Sequence, residues 1–288
     1  MARKLSYIIG EEFDGKRVME YLRGKLCFSS RLVKLLKKQP DGIMLNSHHV
    51  RTIDIIHTGD ALEINIPDDD IPAEASDVSA PVVYADDDII VFNKPAFMPV
   101  HPTRNHQGDT LANVYASYLS KKGISATFRP INRLDRDTTG LVVCGINQYS
   151  ASRLTNNVNK VYYAVASGRL EGSGTIDAPI ARCDERLITR MVSDEGDRAV
   201  THWQVVSNKS DTETLLRITL ETGRTHQIRV HFSHMGYPLI GDTMYGSADS
   251  RISRQALHCA EVEFCHPISG KIISLKTDIP DDMKYLMR

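Results

Sequence analysis

Two aspartates lie among three arginines in the segment Arg129–Leu141, and a short apolar run follows them. That run, residues 141–144, is rich in β-branched side chains and predicts a buried strand. A carboxylate on the loop before such a strand is rigidly supported yet accessible to a substrate. Neighbouring guanidinium groups favour the ionised form of a carboxylate, which can act as a nucleophile or a general base. Asp135 and Asp137 are therefore candidate catalytic groups, although a surface turn with ion pairs would have the same sequence.

Three further segments place polar residues beside runs that predict strands. Lys94 ends an apolar run, and Tyr162 follows Lys160 in a β-branched run. Alone, a terminal lysine is typical of the end of an edge strand, and a strand tyrosine is typical of the core. The segment Gly223–Arg229 is more informative, because four polar residues capable of directed contacts follow its glycine.

In this order the segments strongly resemble the RluA-type pseudouridine synthases, enzymes that isomerise uridine in ribosomal or transfer RNA. The resemblance covers about residues 82–282 and depends mainly on the motifs Arg133-Leu134-Asp135 and Gly223–Arg229. It implies an α+β fold built on a mixed or antiparallel sheet, which the many short strands and few helices of the sequence also favour. The isomerisation is redox-neutral, and the sequence has no phosphate-loop or dinucleotide motif, so we expect no cofactor.

The resemblance also implies roles for individual residues. Asp135 matches the essential aspartate, which would attack the sugar or base covalently or remove the ribose 2′ proton in a glycal route. Tyr162 matches a tyrosine that stacks on uracil, and Arg229 matches the arginine that pairs with the aspartate. The other residues expected to contact the substrate are Arg133, which would help to fill the gap left by the flipped uridine, Ile228, Arg224 and Lys94. Asn132 stands where many members have histidine, and asparagine can donate a hydrogen bond but carries no charge.

The start of the chain is basic and the next segment is acidic. The first 60 residues carry eleven lysines and arginines against seven acids, whereas eight acids and no lysine or arginine lie between Ile66 and Ile90. Ser29 or Ser30 can cap a helix, and the basic residues expected on its exposed side are Arg31, Lys34, Lys37 and Lys38. The order of elements resembles an S4-like RNA-binding domain. We therefore predict an S4-like RNA-binding domain at residues 1–66, an acidic, solvated linker at 67–81, and the catalytic domain at 82–288.

Local patterns predict the elements of the catalytic domain. Helices are expected over residues 110–121 and 150–158. The expected strands are 89–95, 141–146, 160–166, 201–206, 215–221, 227–231 and 271–276.

Several classes of protein are disfavoured. The five cysteines are scattered, no apolar run reaches 18 residues, and the first residues lack the apolar core of a signal peptide. We therefore expect a cytoplasmic monomer whose partner is RNA and which does not contact a membrane. His258-Cys259 and Cys265-His266 superficially resemble zinc ligands, but adjacent strand residues point to opposite faces, so we expect no metal site.

Two other functions fit some of these residues. An RNA-binding assembly factor without catalysis would not need Asp135, Tyr162 and Arg229 together. A hydrolase that uses Asp135 and Asp137 as an acid–base pair is disfavoured, because residues two apart on one loop are poorly placed across a sugar. For a pseudouridine synthase, we expect large-subunit ribosomal RNA as the substrate, with transfer RNA as the alternative.

Overall fold

The computed structural model of the protein describes residues 3–67, 73–184, 187–209 and 211–288. Within these ranges the chain forms a small α+β unit from residues 3–66, called the head, and a larger unit built on a nine-stranded sheet. Each unit has its own main hydrophobic cluster. No helix of the described ranges is long and apolar enough to cross a membrane.

The head packs short helices on a small antiparallel sheet. Its strands are β1 (Arg3–Ile8), β2 (Lys16–Arg17), β3 (Ile43–Leu45), β4 (His48–His49), β5 (Ile55–Ile56) and β6 (Ala61–Ile66). The order of the main sheet is β1-β6-β3-β4, and β2 pairs with β5. Helix α1 (Val18–Glu20) continues as a π-helical turn, and α2 (Ser30–Leu36) begins where the Ser29 hydroxyl accepts the Leu32 amide at 3.2 Å. The predicted serine cap is therefore present.

The large sheet supports the second unit. Its strands, together with the hairpin strands β12 and β13, are β7 (Val82–Ala85), β8 (Ile89–Lys94), β9 (Thr139–Gly145), β10 (Val158–Ser167), β11 (Ser173–Asp177), β12 (Ile180–Arg182), β13 (Arg190–Val192), β14 (Val200–Lys209), β15 (Glu213–Leu220), β16 (Leu257–Cys265) and β17 (Ile272–Lys276). The order is β11-β14-β15-β10-β16-β9-β8-β7, and β17 pairs with β16. Among the described pairs, β16 with β9 is parallel and the others are antiparallel. The fold is therefore the predicted α+β class with a mixed sheet.

Four helices accompany this sheet, and one of them corrects the sequence prediction. They are α3 (Leu111–Ser120), α4 (Gln148–Leu154), α5 (Gln227–His234) and α6 (Asp281–Leu286). The prediction of a strand over 227–231 is wrong, because this segment is the first part of α5. Residues 227–232 are all buried, so the helix shows no polar face from which its period could be read.

The acidic segment between the two units is only partly as predicted. Residues 68–72 lie outside the described residues. The following stretch is bound to α3, because the Asn113 side chain donates to the Glu74 carbonyl at 2.7 Å and the Ser117 hydroxyl donates to the Ser76 carbonyl at 2.7 Å. Val78 packs on the main hydrophobic cluster. Glu74, Ala75 and Asp77 are exposed, as expected for a solvated segment, but the backbone of this stretch is held against α3.

The contacts that dock the head on the large unit include a partly buried ion pair and a buried aromatic side chain. Arg3 donates to both carboxylate oxygens of Asp88, at 3.0 and 2.7 Å, and Asp88 is only 2% exposed. Tyr149 of α4 lies in the hydrophobic cluster of the head, with its ring centroid 4.9 Å from that of Phe28. Buried contacts of this kind fix the relative positions of two units more firmly than surface ion pairs do.

Candidate active site

The loop that carries Asp135 is tied to the sheet at both ends. Asn132 is buried and pairs with the backbone of β9, donating to the Leu141 carbonyl and accepting the Val143 amide, both at 3.0 Å. The amide of Thr138 donates to the Asp135 carbonyl at 3.1 Å, which closes the turn. Asn132 therefore anchors the loop without a charge, although many RluA-type synthases have histidine at this position.

Arg229 holds the carboxylate of Asp135. Its Nη1 donates to Asp135 Oδ2 at 2.9 Å, while its Nε and Nη2 bind both oxygens of Asp242 at 2.7 and 2.9 Å. The side chain of Asp135 is 25% exposed, whereas Arg229 is 6% and Asp242 is 0% exposed. Burial alone would lower the pKa of Arg229, but the hydrogen bonds and charges of the two carboxylates outweigh it and raise that pKa. The guanidinium is therefore a permanent cation between two acids.

A cavity of about 60 Å³ lies in front of Asp135. Most of the side chains predicted from the sequence to touch the substrate line it: Asp135, Tyr162, Arg229, Arg133, Ile228 and Arg224. A second, larger cavity of about 410 Å³ adjoins the first and shares Arg133 and Arg224 with it. The sequence motifs, which are up to 96 positions apart in the chain, thus meet around one carboxylate.

Tyr162 faces this cavity from β10. It is buried, whereas its neighbour Tyr163 is partly exposed, as the alternation of a strand requires. Burial raises the pKa of Tyr162 well above its ordinary value, and the nearby Cys259 and Asp135 act in the same direction. The phenol therefore stays protonated, which suits a stacking platform or a hydrogen-bond donor rather than a tyrosinate base.

His226 approaches the other oxygen of the carboxylate. Its Nε2 lies 3.8 Å from Asp135 Oδ1, and its Nδ1 lies 2.8 Å from the hydroxyl of Tyr245. Burial lowers the pKa of His226 below its ordinary value. The Tyr245 ring also lies against Arg229, whose guanidinium carbon is 5.1 Å from the ring centroid.

Comparisons with known proteins identify the kind of site. The model of a family described as RNA pseudouridylate synthase matches residues 88–234. The chain belongs to the RNA pseudouridylate synthase family. The uncharacterized RNA pseudouridine synthase YjbO of Bacillus subtilis is 35% identical over 279 residues, which covers 94% of this chain and 98% of the relative.

Further relatives agree with this assignment. The ribosomal large subunit pseudouridine synthase D of Pseudomonas aeruginosa is 35% identical over 260 residues, or 83% of this chain and 80% of that protein. The structure of human RNA pseudouridylate synthase domain containing 1 superposes with a TM-score of 0.57 at 25% identity, covering 69% of this chain and 83% of that chain. The chain is an RNA pseudouridine synthase, as predicted for its fold and enzyme class.

One residue expected to contact the substrate of the synthase is placed elsewhere. Lys94 is 0% exposed, and its Nζ donates to the carbonyls of Pro95, Met98 and Arg136 at 2.8, 2.8 and 2.9 Å. Burial lowers the pKa of Lys94 to about 7, while the charges of Asp137 and Asp135 act in the opposite direction. The prediction that Lys94 binds substrate is therefore wrong for this conformation; the side chain supports the Asp135 loop from behind.

The arginines beside Asp135 in sequence do not hold it. Arg136 binds both oxygens of Asp137 at 2.6 and 3.0 Å, and Arg129 donates to the Thr127 and Ile146 carbonyls. Asp137 does not line the cavity, whereas Asp135 does. The competing carboxylate is thus occupied by its neighbour, and the partner of Asp135 comes from α5.

Two groups of side chains in the described residues carry the donor atoms of possible metal ligands. His258 lies between the hydroxyls of Thr139 and Thr277, at 2.8 and 3.1 Å, and does not converge with Cys259. Asp86, Asp88 and His266 approach one another closely enough to hold an ion. Their atoms are already used, however, because Asp86 accepts from Tyr84 and faces His266, while Asp88 accepts from Arg3. This second group is a hydrogen-bond network under the head rather than an open ligand set.

The four basic residues predicted on the head, Arg31, Lys34, Lys37 and Lys38, are all exposed on or just after α2. The buried side of the helix consists of Leu32, Val33 and Leu36. The predicted separation of a basic face from an apolar face is therefore present.

Asp242 and Tyr245 were not assigned a role from the sequence. Both lie in the glycine-containing stretch after α5, and both contact Arg229. The sequence feature that could have indicated a role is their position shortly after the Gly223–Arg229 motif. A buried acid near a buried arginine is a strong pairing candidate, because neither charge is stable alone in the interior.

Proposed function

We propose that Asp135 is the catalytic residue of this synthase and that the cavity in front of it binds the flipped uridine. The observation that supports this most strongly is the convergence of Asp135, Tyr162 and Arg229 in one cavity. A carboxylate fixed by a buried guanidinium, with one edge exposed, is ready to react without reorganisation.

The reaction needs no atoms beyond those of the substrate. The bond from ribose C1′ to uracil N1 breaks, the base turns, and C1′ forms a bond to C5, while the proton of C5 is lost and N1 regains one. Asp135 can start this by attacking C1′ or the base, or by removing the 2′ proton in a glycal route. In each case the carboxylate of Asp135 is the reacting group, and the hydrogen bond from Arg229 fixes its orientation.

The other cavity residues serve recognition. The ring of Tyr162 stacks on the uracil, and Ile228 forms an apolar floor beside it. Arg133 is exposed at the junction of the two cavities, and no described residue accepts a hydrogen bond or ion pair from its guanidinium. It is placed to enter the gap that the flipped base leaves and to offset part of the unstacking cost.

A pseudouridine assay with mass tagging tests the role of Asp135. Asp135→Asn keeps the shape of the side chain and one acceptor for Arg229, so it should bind RNA normally and form no pseudouridine. Asp135→Ala should behave in the same way, whereas Asp137→Asn, the matched control, should remain active. Product formation by both Asp135 variants would refute the assignment.

The same assay addresses the noncatalytic alternative. Absence of product from the wild-type protein on total ribosomal and transfer RNA, with RNA binding retained, would favour an assembly factor. The intact set of Asp135, Tyr162 and Arg229 argues against that function, because RNA binding alone does not require a buried acid–arginine pair.

We further propose large-subunit ribosomal RNA as the substrate, with transfer RNA as the alternative. Four relatives named ribosomal large subunit pseudouridine synthase D are 35–37% identical, and the matches cover 73–83% of this chain and 70–80% of those proteins. Pseudouridine mapping of both RNA classes in a strain that lacks the gene would identify the missing position. Loss confined to transfer RNA would overturn this substrate.

The head is proposed to be an S4-like RNA-binding domain that uses the basic face of α2. Deleting it is a poor test, because Tyr149 and Asp88 would lose their buried partners. Replacing Lys34 and Lys37 by Gln should instead weaken RNA binding and reduce the slope of log affinity against log salt by about 1.4–1.8. Equivalent changes at the exposed Lys271 and Lys284 serve as a control, and an unchanged slope for the head variant would contradict the proposal.

A further inference from the structure

His226 lies in an unusual backbone conformation at the start of α5. Its φ and ψ are 59° and 17°, in the left-handed region that a non-glycine residue rarely adopts. The side chain is 11% exposed and is held between Asp135 and Tyr245. Such a conformation persists when the surrounding contacts determine it, so the contacts of the imidazole are informative.

The hydrogen bonds around Tyr245 favour one tautomer of His226. The Tyr245 hydroxyl accepts the backbone amide of Arg190 at 2.8 Å and lies 2.8 Å from His226 Nδ1. Its single proton is therefore free to point at Nδ1. If Nδ1 were protonated instead, the lone pair of Nε2 would face Asp135 Oδ1 at 3.8 Å, which is repulsive.

The charge state of the imidazole agrees with this arrangement. Burial lowers the pKa of His226, and the cations Arg229 and Arg190 act in the same direction, while Asp135 and Asp242 oppose them. At neutral pH the ring is therefore neutral and has one N–H, and the contacts with Tyr245 and Asp135 favour Nε2 as its position.

We propose that His226 is a positioning residue for Asp135, with its Nε2–H tautomer set by Tyr245 and Tyr245 held in turn by the hairpin β12–β13 through the Arg190 amide. Resting on the proposed catalytic role of Asp135, this makes the two carboxylate oxygens differ: Oδ2 is bound by Arg229 and Oδ1 is faced by His226. Tyr245 contacts both residues that hold the carboxylate, because its ring lies against Arg229 and its hydroxyl forms a hydrogen bond with His226.

The hairpin lies at the cavity that adjoins the active site. Arg182 and Arg190 line the larger cavity, and Leu187 and Ile188 are exposed in the loop between the two strands. RNA that occupies this cavity therefore contacts the same hairpin whose backbone orients Tyr245. Binding of the nucleotides around the flipped base would thereby influence the orientation of the carboxylate. The link consists of three groups, the Arg190 amide, the Tyr245 hydroxyl and the His226 imidazole.

The tautomer is measured directly by long-range ¹H–¹⁵N NMR of the histidines in the resting protein. The His226 signal is assigned by its loss in His226→Gln. Wild-type protein should show the Nε2–H form, and Tyr245→Phe, which keeps the ring but removes the hydroxyl, should show a mixture of tautomers. An Nδ1–H form in the wild type, or no change in Tyr245→Phe, would overturn the inference without touching the role of Asp135.

Kinetics provide the second test. Tyr245→Phe should lower kcat about tenfold with KM for RNA unchanged, the effect expected for one hydrogen bond. His226→Gln can still present an amide N–H near Asp135 and should retain more activity than His226→Ala. Adding Tyr245→Phe to His226→Gln should cost nothing further, because the glutamine has no tautomer to set. If Tyr245→Phe lowered kcat equally in the wild type and in His226→Gln, the proposed role of Tyr245 in setting the tautomer would be contradicted. Activity of both Asp135→Asn and Asp135→Ala would instead refute the catalytic assignment.

Discussion

The pairing of Arg229 with Asp242 provides a sharp test of how Asp135 is held. Asp242→Asn removes one charge from a fully buried site and keeps the shape of the side chain. Its oxygen would still accept the amides of Met244 and Tyr245, which bind Asp242 Oδ1 at 3.0 and 3.2 Å. The new NH₂ group would then face the Nε–H of Arg229, and two donors would oppose each other.

The loss in the free energy of unfolding follows from the burial of the Arg229–Asp242 pair. Removing one partner from a buried ion pair costs about 3–5 kcal/mol, and the remaining Asp135 keeps this case near the lower end, at about 3 kcal/mol. A domain with about 5–15 kcal/mol of total stability remains folded after such a loss. Arg229 would turn toward its only remaining carboxylate and shift Asp135, so we expect kcat to fall about 100-fold.

Urea unfolding and single-turnover pseudouridine formation measure the two effects. The control is Glu213→Gln, which breaks an ion pair between the buried Glu213 and the partly exposed Arg251, whose Nη1 lies 2.7 Å from the carboxylate. Glu213 pairs with Ser167 on β10, five positions beyond Tyr162, so it should lower stability without lowering kcat. A loss below about 1 kcal/mol with unchanged kcat in Asp242→Asn would show that Asp242 does not hold Arg229.

Three further changes have defined outcomes. Lys94→Met leaves three carbonyls without their donor and should cost about 3 kcal/mol in urea unfolding and about tenfold in kcat, because the Asp135 loop loses its support. Gly140→Ala places a methyl group against the Cys259 carbonyl, at a residue whose φ is 117°, and should therefore lower the melting temperature. A melting temperature equal to that of the wild type would show that β9 and β16 are not so close. Burial lowers the pKa of His258 to about 4, so the unfolded chain takes up a proton below about pH 6.5 that the folded protein refuses. Stability should therefore fall by about 3 kcal/mol between pH 6.5 and 4, and His258→Gln should remove this part of the decline in acid unfolding curves.

Motifs made the centre of the site predictable, because catalysis needs particular residue types at particular places. Asp135, Tyr162 and Arg229 were all placed in one cavity by their motif positions. The direction of Lys94 was not predictable, since nothing in the sequence shows that its ammonium turns back to three main-chain carbonyls. A lysine at the end of a strand looks the same whether it points to solvent or to the protein interior.

The helix at residues 227–234 shows another limit of the sequence. Periodicity reveals a helix when one side is polar, but Gln227, Arg229 and His231 are buried by hydrogen bonds rather than exposed. Polar residues in the interior therefore imitate the alternation of a strand. The docking of the head was not predictable either, because Arg3 and Asp88 are 85 positions apart and each alone is typical of a protein surface.

If the head binds RNA as proposed, its contact with α4 has a consequence for how RNA is selected. Because Tyr149 and Asp88 hold the head in place before any ligand arrives, its ordering cost belongs to folding and does not weaken RNA binding. Under the proposed role of the head, its basic face and the uridine pocket are a rigid pair of contacts at constant separation. An RNA would then be recognised by the spacing between two of its own features, and a fragment that carries only one of them would lose the advantage of bivalent attachment.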